Sequence, residues 1–172
     1  MRRMITATVQ NQSGVLQRIT SVLTKRQFNI ESISVGHAHT QELSKVTIVV
    51  EVEDHRKVEQ LIKQLHKQID ILKVIDITEL ALVARELALV KVAATPQMRS
   101  EVTVLIQPFR ASIIDVSSET ITIEVTGNHE KVEALLELLR PYGITDIART
   151  GLTAMTRGTQ RTVHSFVSSS II

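Results

Sequence analysis

The apolar residues of this chain follow the order strand, helix, strand, strand, helix, strand, and the same order then occurs a second time. In the first half, Ile5, Ala7 and Val9 alternate with polar residues, which predicts a half-buried strand over residues 4–10. Further strands are predicted over residues 29–35, 46–52 and 69–78. Two helices are predicted between these strands, after Ser13 and after Asp54, which we expect to be their N-caps.

The second half of the chain has a different sequence but predicts the same order of strands and helices. Strands are predicted over residues 87–93, 111–116, 120–126 and 144–149. One helix is expected to start at Thr95-Pro96 and the other at Asn128. Their buried stripes are Val102, Leu105, Ile106 and Phe109 in the first, and Val132, Leu135, Leu136 and Leu139 in the second.

Two such units predict an α+β fold made of two tandem ferredoxin-like βαββαβ sandwiches, each with two helices on one face of an antiparallel sheet. The expected domains are residues 1–80 and 81–158, followed by a polar tail over residues 159–172. Small sheets have edge strands whose backbone groups need partners. Pairing of edges between two copies would supply them, so we expect a homodimer or a larger assembly.

The composition excludes several classes of function. The chain of 172 residues has no Cys, which rules out disulfides, thiolate metal sites and a Cys nucleophile. Aromatic residues make up only 2%, and the basic and acidic residues balance within 2 charges, which argues against nucleic-acid and anionic-membrane binding. We find neither a signal peptide nor a membrane-spanning run, and therefore expect a soluble cytoplasmic protein.

The strongest local candidate for a binding site is the turn between the first strand and the first helix. Gly14 lets a ligand approach the backbone closely, and the amide groups at a helix start suit an anion such as an α-carboxylate. The amide oxygens of Asn11 and Asn29 could hold a neighbouring ammonium group, and Leu16 and Ile30 could line a small apolar pocket. The alternative is an ordinary capped turn that binds no ligand, which would show the same residue pattern and is the more common structure.

No catalytic constellation stands out from the sequence. His37 and His39 lie on one side of an extended segment and could form half of a metal site, although unligated loop histidines are more common. The sequence contains no P-loop, nucleophile elbow, dinucleotide fingerprint or zinc-protease helix. These residues therefore predict a protein that binds or regulates.

Several segments resemble a known family. Residues 11–16 (NQSGVL) and 26–32 (RQFNIES) are similar to an ACT domain, and more narrowly to the small, regulatory subunits of acetohydroxyacid synthase, also called acetolactate synthase. Residues 85–92 (RELALVKV), 109–116 (FRASIIDV) and 148–151 (ARTG) continue the resemblance as far as Gly158. The second half has no Asn-x-Ser-Gly turn, so the ligand site is not carried over to it.

The resemblance implies a non-catalytic subunit that activates a separate large catalytic subunit and confers feedback inhibition by valine or another branched-chain amino acid. That catalytic subunit is expected to hold thiamine diphosphate, Mg²⁺ and FAD. The resemblance also implies that the effector binds between two ACT domains. Its expected ligands are Asn11, Gly14, Val15 and Leu16 from one chain and Asn29 and Ile30 from its neighbour.

Three other functions share this topology. A stand-alone amino-acid sensor could control a different enzyme or a transcription factor. An acylphosphatase-like enzyme needs an Arg and an Asn converging on a phosphate loop, which this sequence does not match. An RNA-recognition module needs aromatic residues on its central strands, and these strands have none.

Overall fold

The computed structural model describes residues 1–158, which separate into two compact units, and the predicted tail over residues 159–172 lies outside the described residues. One unit comprises Met1–Val83 together with residues 154–158, and the other comprises Ala84–Thr153. A separate cluster of buried apolar side chains lies in each βαββαβ repeat. The predicted α+β fold with two tandem ferredoxin-like repeats is confirmed.

The first repeat is a four-stranded antiparallel sheet with two helices. Its strands are β1 (Arg2–Gln10), β2 (Asn29–His37), β3 (Leu43–Glu51) and β4 (Ile71–Asp76), and its helices are α1 (Val15–Lys25) and α2 (His55–His66). The strands lie in the order β2-β3-β1-β4, so that β2 and β4 are the edges of this sheet. Because β2 follows α1 directly, the edge strand and the loop before α1 are fixed to opposite ends of one helix.

The core of this repeat forms where one face of the sheet meets the apolar stripes of the helices. Ile5, Ile19 and Leu61 are fully buried there, one from each of β1, α1 and α2. Asp54 caps α2 as predicted, because its carboxylate accepts a hydrogen bond from the Arg56 amide at 3.1 Å. This bond satisfies one of the amide groups that a helix start leaves without a partner.

The second repeat has the same arrangement and one additional strand. Its elements are β5 (Leu82–Ala93), α3 (Pro96–Ile106), β6 (Ser112–Val116), β7 (Thr120–Gly127), α4 (His129–Leu139), β8 (Ile144–Arg149) and β9 (Thr153–Thr156). The sheet order is β6-β7-β5-β8, and β9 also pairs with β5. Asn128 caps α4 as predicted, with its side-chain oxygen accepting from the Lys131 amide at 3.1 Å.

Several elements of the fold differ from the sequence prediction. Strand β9 was not predicted, since its four residues are too few to establish an alternating pattern. Phe109 lies in a short 3₁₀ turn after α3, because Pro108 cannot donate a backbone hydrogen bond. The loop between β2 and β3 is shorter than expected, because the pairing of these two strands extends to His37 and Ser44.

Candidate functional site

The loop of residues 11–14 connects β1 to α1 and is fixed at its start by two backbone hydrogen bonds. The Gln10 amide donates to the Asp70 carbonyl at 2.8 Å, and the Asn11 amide donates to the Glu42 carbonyl at 2.7 Å. These acceptors come from separate parts of the first unit, immediately before β4 and immediately before β3. The tertiary structure therefore holds the loop in place from both sides.

Asn11 has an exposed side chain whose amide nitrogen forms a hydrogen bond within the chain. Its Nδ2 atom donates to the Gln41 carbonyl at 2.9 Å and lies 3.4 Å from Nδ1 of His37. These contacts orient the amide group at the edge of the loop. They also place His37, which the sequence suggested as half of a metal site, beside Asn11.

Gly14 is the N-cap of α1, and the prediction that Ser13 caps this helix is wrong. Gly14 has φ +85°, in the left-handed region, and no side-chain hydrogen bond caps the helix. Glycine has no Cβ and adopts this conformation without steric cost. We call this uncapped helix start the open Gly14 turn, because no capping side chain is hydrogen-bonded to its backbone amide groups.

The two residues that follow Gly14 differ in what they offer a ligand. The Val15 side chain is only 5% exposed and belongs to the apolar core, so only its backbone can face a ligand. Leu16 is 46% exposed and presents an apolar side chain outside the core. Of the apolar residues predicted at this turn, Leu16 is thus the one able to contact a ligand through its side chain.

Asn29 and Ile30 begin β2, at the far end of α1 from Gly14. Asn29 is exposed, while Ile30 is half-buried and packs against the core of the first repeat. Beside Asn29 is an open cleft of about 330 Å³. The cleft is lined by Met1, Arg26, Gln27, Phe28, Asn29, Glu51, Val52, Glu53 and Lys57. Within one chain, the predicted site residues thus form two groups at opposite ends of α1.

Arg18 and Asp70 form an ion pair at the Gly14 turn that sequence reasoning did not detect. The Nη2 atom of Arg18 lies 2.5 Å from Oδ2 of Asp70, and the two side chains are 43% and 9% exposed. A methyl group built on Gly14 would lie 3.3 Å from Nη1 of the same arginine. Because 52 positions separate Arg18 from Asp70, no local pattern in the sequence could have indicated this pair.

The corresponding turn in the second repeat is built differently. Thr95 is the N-cap of α3 and Pro96 is its first residue, with no positive φ at this turn. Arg99 occupies the same helix position as Arg18, but its Nη2 atom donates to the backbone carbonyls of Ser117 and Ser118. The second helix start therefore lacks the open glycine turn of the first.

A second charged cluster surrounds Glu86, a buried carboxylate in the second repeat. Arg149 donates to both Glu86 oxygens, at 2.6 and 3.2 Å, and to Glu133 at 2.6 Å. His129 lies 3.4 Å from Glu86. The hydrogen bond from Arg149 lowers the pKa of Glu133, and although burial opposes it, bonding to both carboxylates raises the pKa of Arg149. This cluster connects β5, β8 and α4 through charged hydrogen bonds.

Within residues 1–158, no three His, Asp or Glu side chains are grouped so that they could hold a metal ion. None of the helices in this range is both long enough and apolar enough to cross a membrane.

Comparison with known proteins matches both repeats to one family. Residues 5–73 match the AHAS small subunit-like ACT domain, and residues 85–158 match the small subunit of acetolactate synthase. The chain is 57% identical to the acetolactate synthase small subunit of Bacillus subtilis over the full length of both. It is 48% identical to the probable small subunit of Archaeoglobus fulgidus, covering 94% of this chain and 100% of that one.

A solved structure gives the same result. The crystal structure of the acetolactate synthase small subunit from Thermotoga maritima superposes with a TM-score of 0.85 at 38% identity, covering 93% of this chain and 99% of that chain. Sequence, family models and three-dimensional structure thus agree over nearly the whole chain. This chain belongs to the family of acetolactate synthase small subunits.

Proposed function

We propose that this chain activates the thiamine-diphosphate-dependent catalytic subunit of acetolactate synthase and makes it subject to feedback inhibition by valine. The family relationship supports the regulatory role, and the open Gly14 turn is the observation that supports an amino-acid effector. Thiamine diphosphate, Mg²⁺ and FAD belong to the catalytic subunit in this proposal. The complex acts in the cytoplasm.

The chemistry of the two groups of site residues suits a small apolar amino acid. A helix start without a capping side chain favours the α-carboxylate, because its amide groups and the helix dipole both attract an anion. The exposed amide of Asn29 is suited to the ammonium group. Leu16 and Ile30 provide apolar contacts of the size needed by a branched side chain.

The effector site is shared between two copies of the chain in this proposal. Gly14 and Asn29 are separated by α1, whose eleven residues span about 16 Å at roughly 1.5 Å per residue, which exceeds the length of a valine molecule. Strand β2 is an edge of its sheet and carries both Asn29 and Ile30. A two-fold axis beside β2 would bring these residues to the Gly14 turn of the partner copy and form two equivalent sites.

Reconstitution with the catalytic subunit tests this function. Acetolactate formation should be absent with this chain alone, low with the catalytic subunit alone, and higher with both. Addition of valine should lower only the activity of the mixture. Synthase activity of this chain by itself would contradict the proposal. Valine binding without any effect on the catalytic subunit would instead favour a stand-alone amino-acid sensor.

A further inference from the structure

Arg18 is placed where it can contact a ligand at the Gly14 turn. It lies one helical turn after Gly14, and its backbone amide donates to the Gly14 carbonyl at 3.0 Å. Its Nη2 atom is paired with Asp70, while Nη1 lies 3.3 Å from the point where a Gly14 side chain would begin. The guanidinium group therefore lies over Gly14, and the Arg18 side chain is 43% exposed.

The charges at this helix start favour an additional anion. The N-terminus of a helix carries a partial positive charge, which acidic residues in the first turn usually offset. Helix α1 has no acidic residue in its first turn, and because Asp70 offsets the charge of Arg18, the partial positive charge of the helix start remains. Nη2 of Arg18 lies 2.5 Å from Oδ2 of Asp70 and Nη1 lies nearest Gly14, so a second carboxylate at the turn would approach the guanidinium from its Nη1 side.

We infer that Arg18 binds the α-carboxylate of the amino-acid effector at the Gly14 turn, and that Asp70 is the positioning residue that holds its guanidinium there. This inference rests on the proposed function, because it deepens the same effector site. It makes Arg18 the residue by which the site selects a free amino acid over the corresponding amide. An arginine fork is suited to this task, since it can donate to two carboxylates at once.

The second repeat contains a natural comparison for this role. Arg18 and Arg99 are each the fourth residue of an eleven-residue helix. Arg99 donates hydrogen bonds to the backbone carbonyls of Ser117 and Ser118. The helix start before it has Thr95-Pro96, where the first repeat has Ser13-Gly14. Arg99 therefore provides a matched control, since it has the same position and charge without the ligand site.

The test compares valine with valinamide, which keeps the ammonium group and the side chain but has no carboxylate. Calorimetry on the full-length chain is carried out at about pH 6, where the amino groups of both probes are protonated. The wild-type protein should bind valine at least about tenfold more tightly than valinamide, because one charge-assisted hydrogen bond contributes about that factor. Arg18→Gln should remove most of this difference by weakening valine binding alone. Arg99→Gln should bind both probes as the wild type does.

Three results would overturn the inference. Equal weakening of both probes by Arg18→Gln would mean that the arginine only supports the turn, and unchanged binding of both would mean that it does not contact the effector. Absence of valine binding by the wild-type chain would overturn the proposed function and this inference together. If Arg18→Gln does not fold, as judged by thermal unfolding, Arg18→Lys is the second variant. It retains the positive charge but not the fork, and the same loss of selectivity, in reduced degree, is expected.

Discussion

Gly14 and Asn29 flank α1 at its opposite ends, with Gly14 as the N-cap of the helix and Asn29 as the first residue of the edge strand that follows it. One small effector cannot contact both residues within a single chain. If both bind the same molecule, they must come from two copies. This relationship leads to a prediction that distinguishes a shared site from a site within one chain.

We expect a mixed dimer to recover binding that both parent variants lack. One chain carries Gly14→Asp and the other carries Asn29→Ala. Under two-fold symmetry, one of the two effector sites then contains both substitutions and the other site contains neither. Each homodimeric variant should fail to bind valine, while the mixed dimer should bind one valine at near-normal affinity in calorimetry. If mixing restores no binding, each site is built within one chain.

Replacement of Gly14 separates the effect of shape from the effect of charge. Gly14→Ala adds one methyl group at a φ of +85°, which strains the backbone by roughly 1 kcal/mol and should weaken valine binding only partly. Gly14→Asp adds a carboxylate that competes for Arg18 and repels the carboxylate of the effector, so binding should be lost. Calorimetry on folded proteins checks this order. Equal affinities of the two variants would show that charge has no part in the effect.

The two acidic partners of Arg149 should differ strongly in their contribution to stability. The Glu86 side chain is 3% exposed, so Glu86→Gln removes a buried charge that accepts two hydrogen bonds from the partly exposed Arg149, and should lower the free energy of unfolding by about 2 kcal/mol. The Glu133 side chain is 39% exposed, and solvent screening should limit the loss in Glu133→Gln to roughly 0.5 kcal/mol. Urea unfolding of the full-length chain measures both values. A larger loss in Glu133→Gln than in Glu86→Gln would contradict this assignment.

Glu133 also makes stability depend on pH in the acidic range. Hydrogen bonding to Arg149 lowers its pKa from the ordinary value of 4.5 in the folded protein, so the folded state favours the ionised carboxylate. The stabilisation is complete above that ordinary pKa and is lost as the pH falls through the lowered folded-state value. Between about pH 7 and about pH 3, the wild type should therefore lose more unfolding free energy than Glu133→Gln. Parallel loss in the two proteins would exclude a contribution from this pair.

The elements and caps that the sequence predicts correctly depend on residues that lie close together along the chain. Alternation in β1 and the spaced apolar residues of α2 predicted their elements because side-chain direction has a fixed period in strands and helices. The caps at Asp54 and Asn128 were predicted because a cap is formed by residues only two or three positions apart. The prediction that Ser13 caps α1 is wrong, because the adjacent Gly14 adopts a left-handed conformation and is itself the N-cap.

The sequence by itself determined the two βαββαβ repeats, their order and the resemblance of residues 11–16 to an effector loop. Each of these depends on residues that are neighbours along the chain. Only the tertiary structure showed that Asp70 pairs with Arg18 and that Glu86 pairs with Arg149, since these partners lie 52 and 63 positions apart. It also placed Gly14 and Asn29 at opposite ends of one helix. Sequence periodicity predicts which face of an element is buried, but only folding brings charged side chains from distant segments into hydrogen-bonding distance.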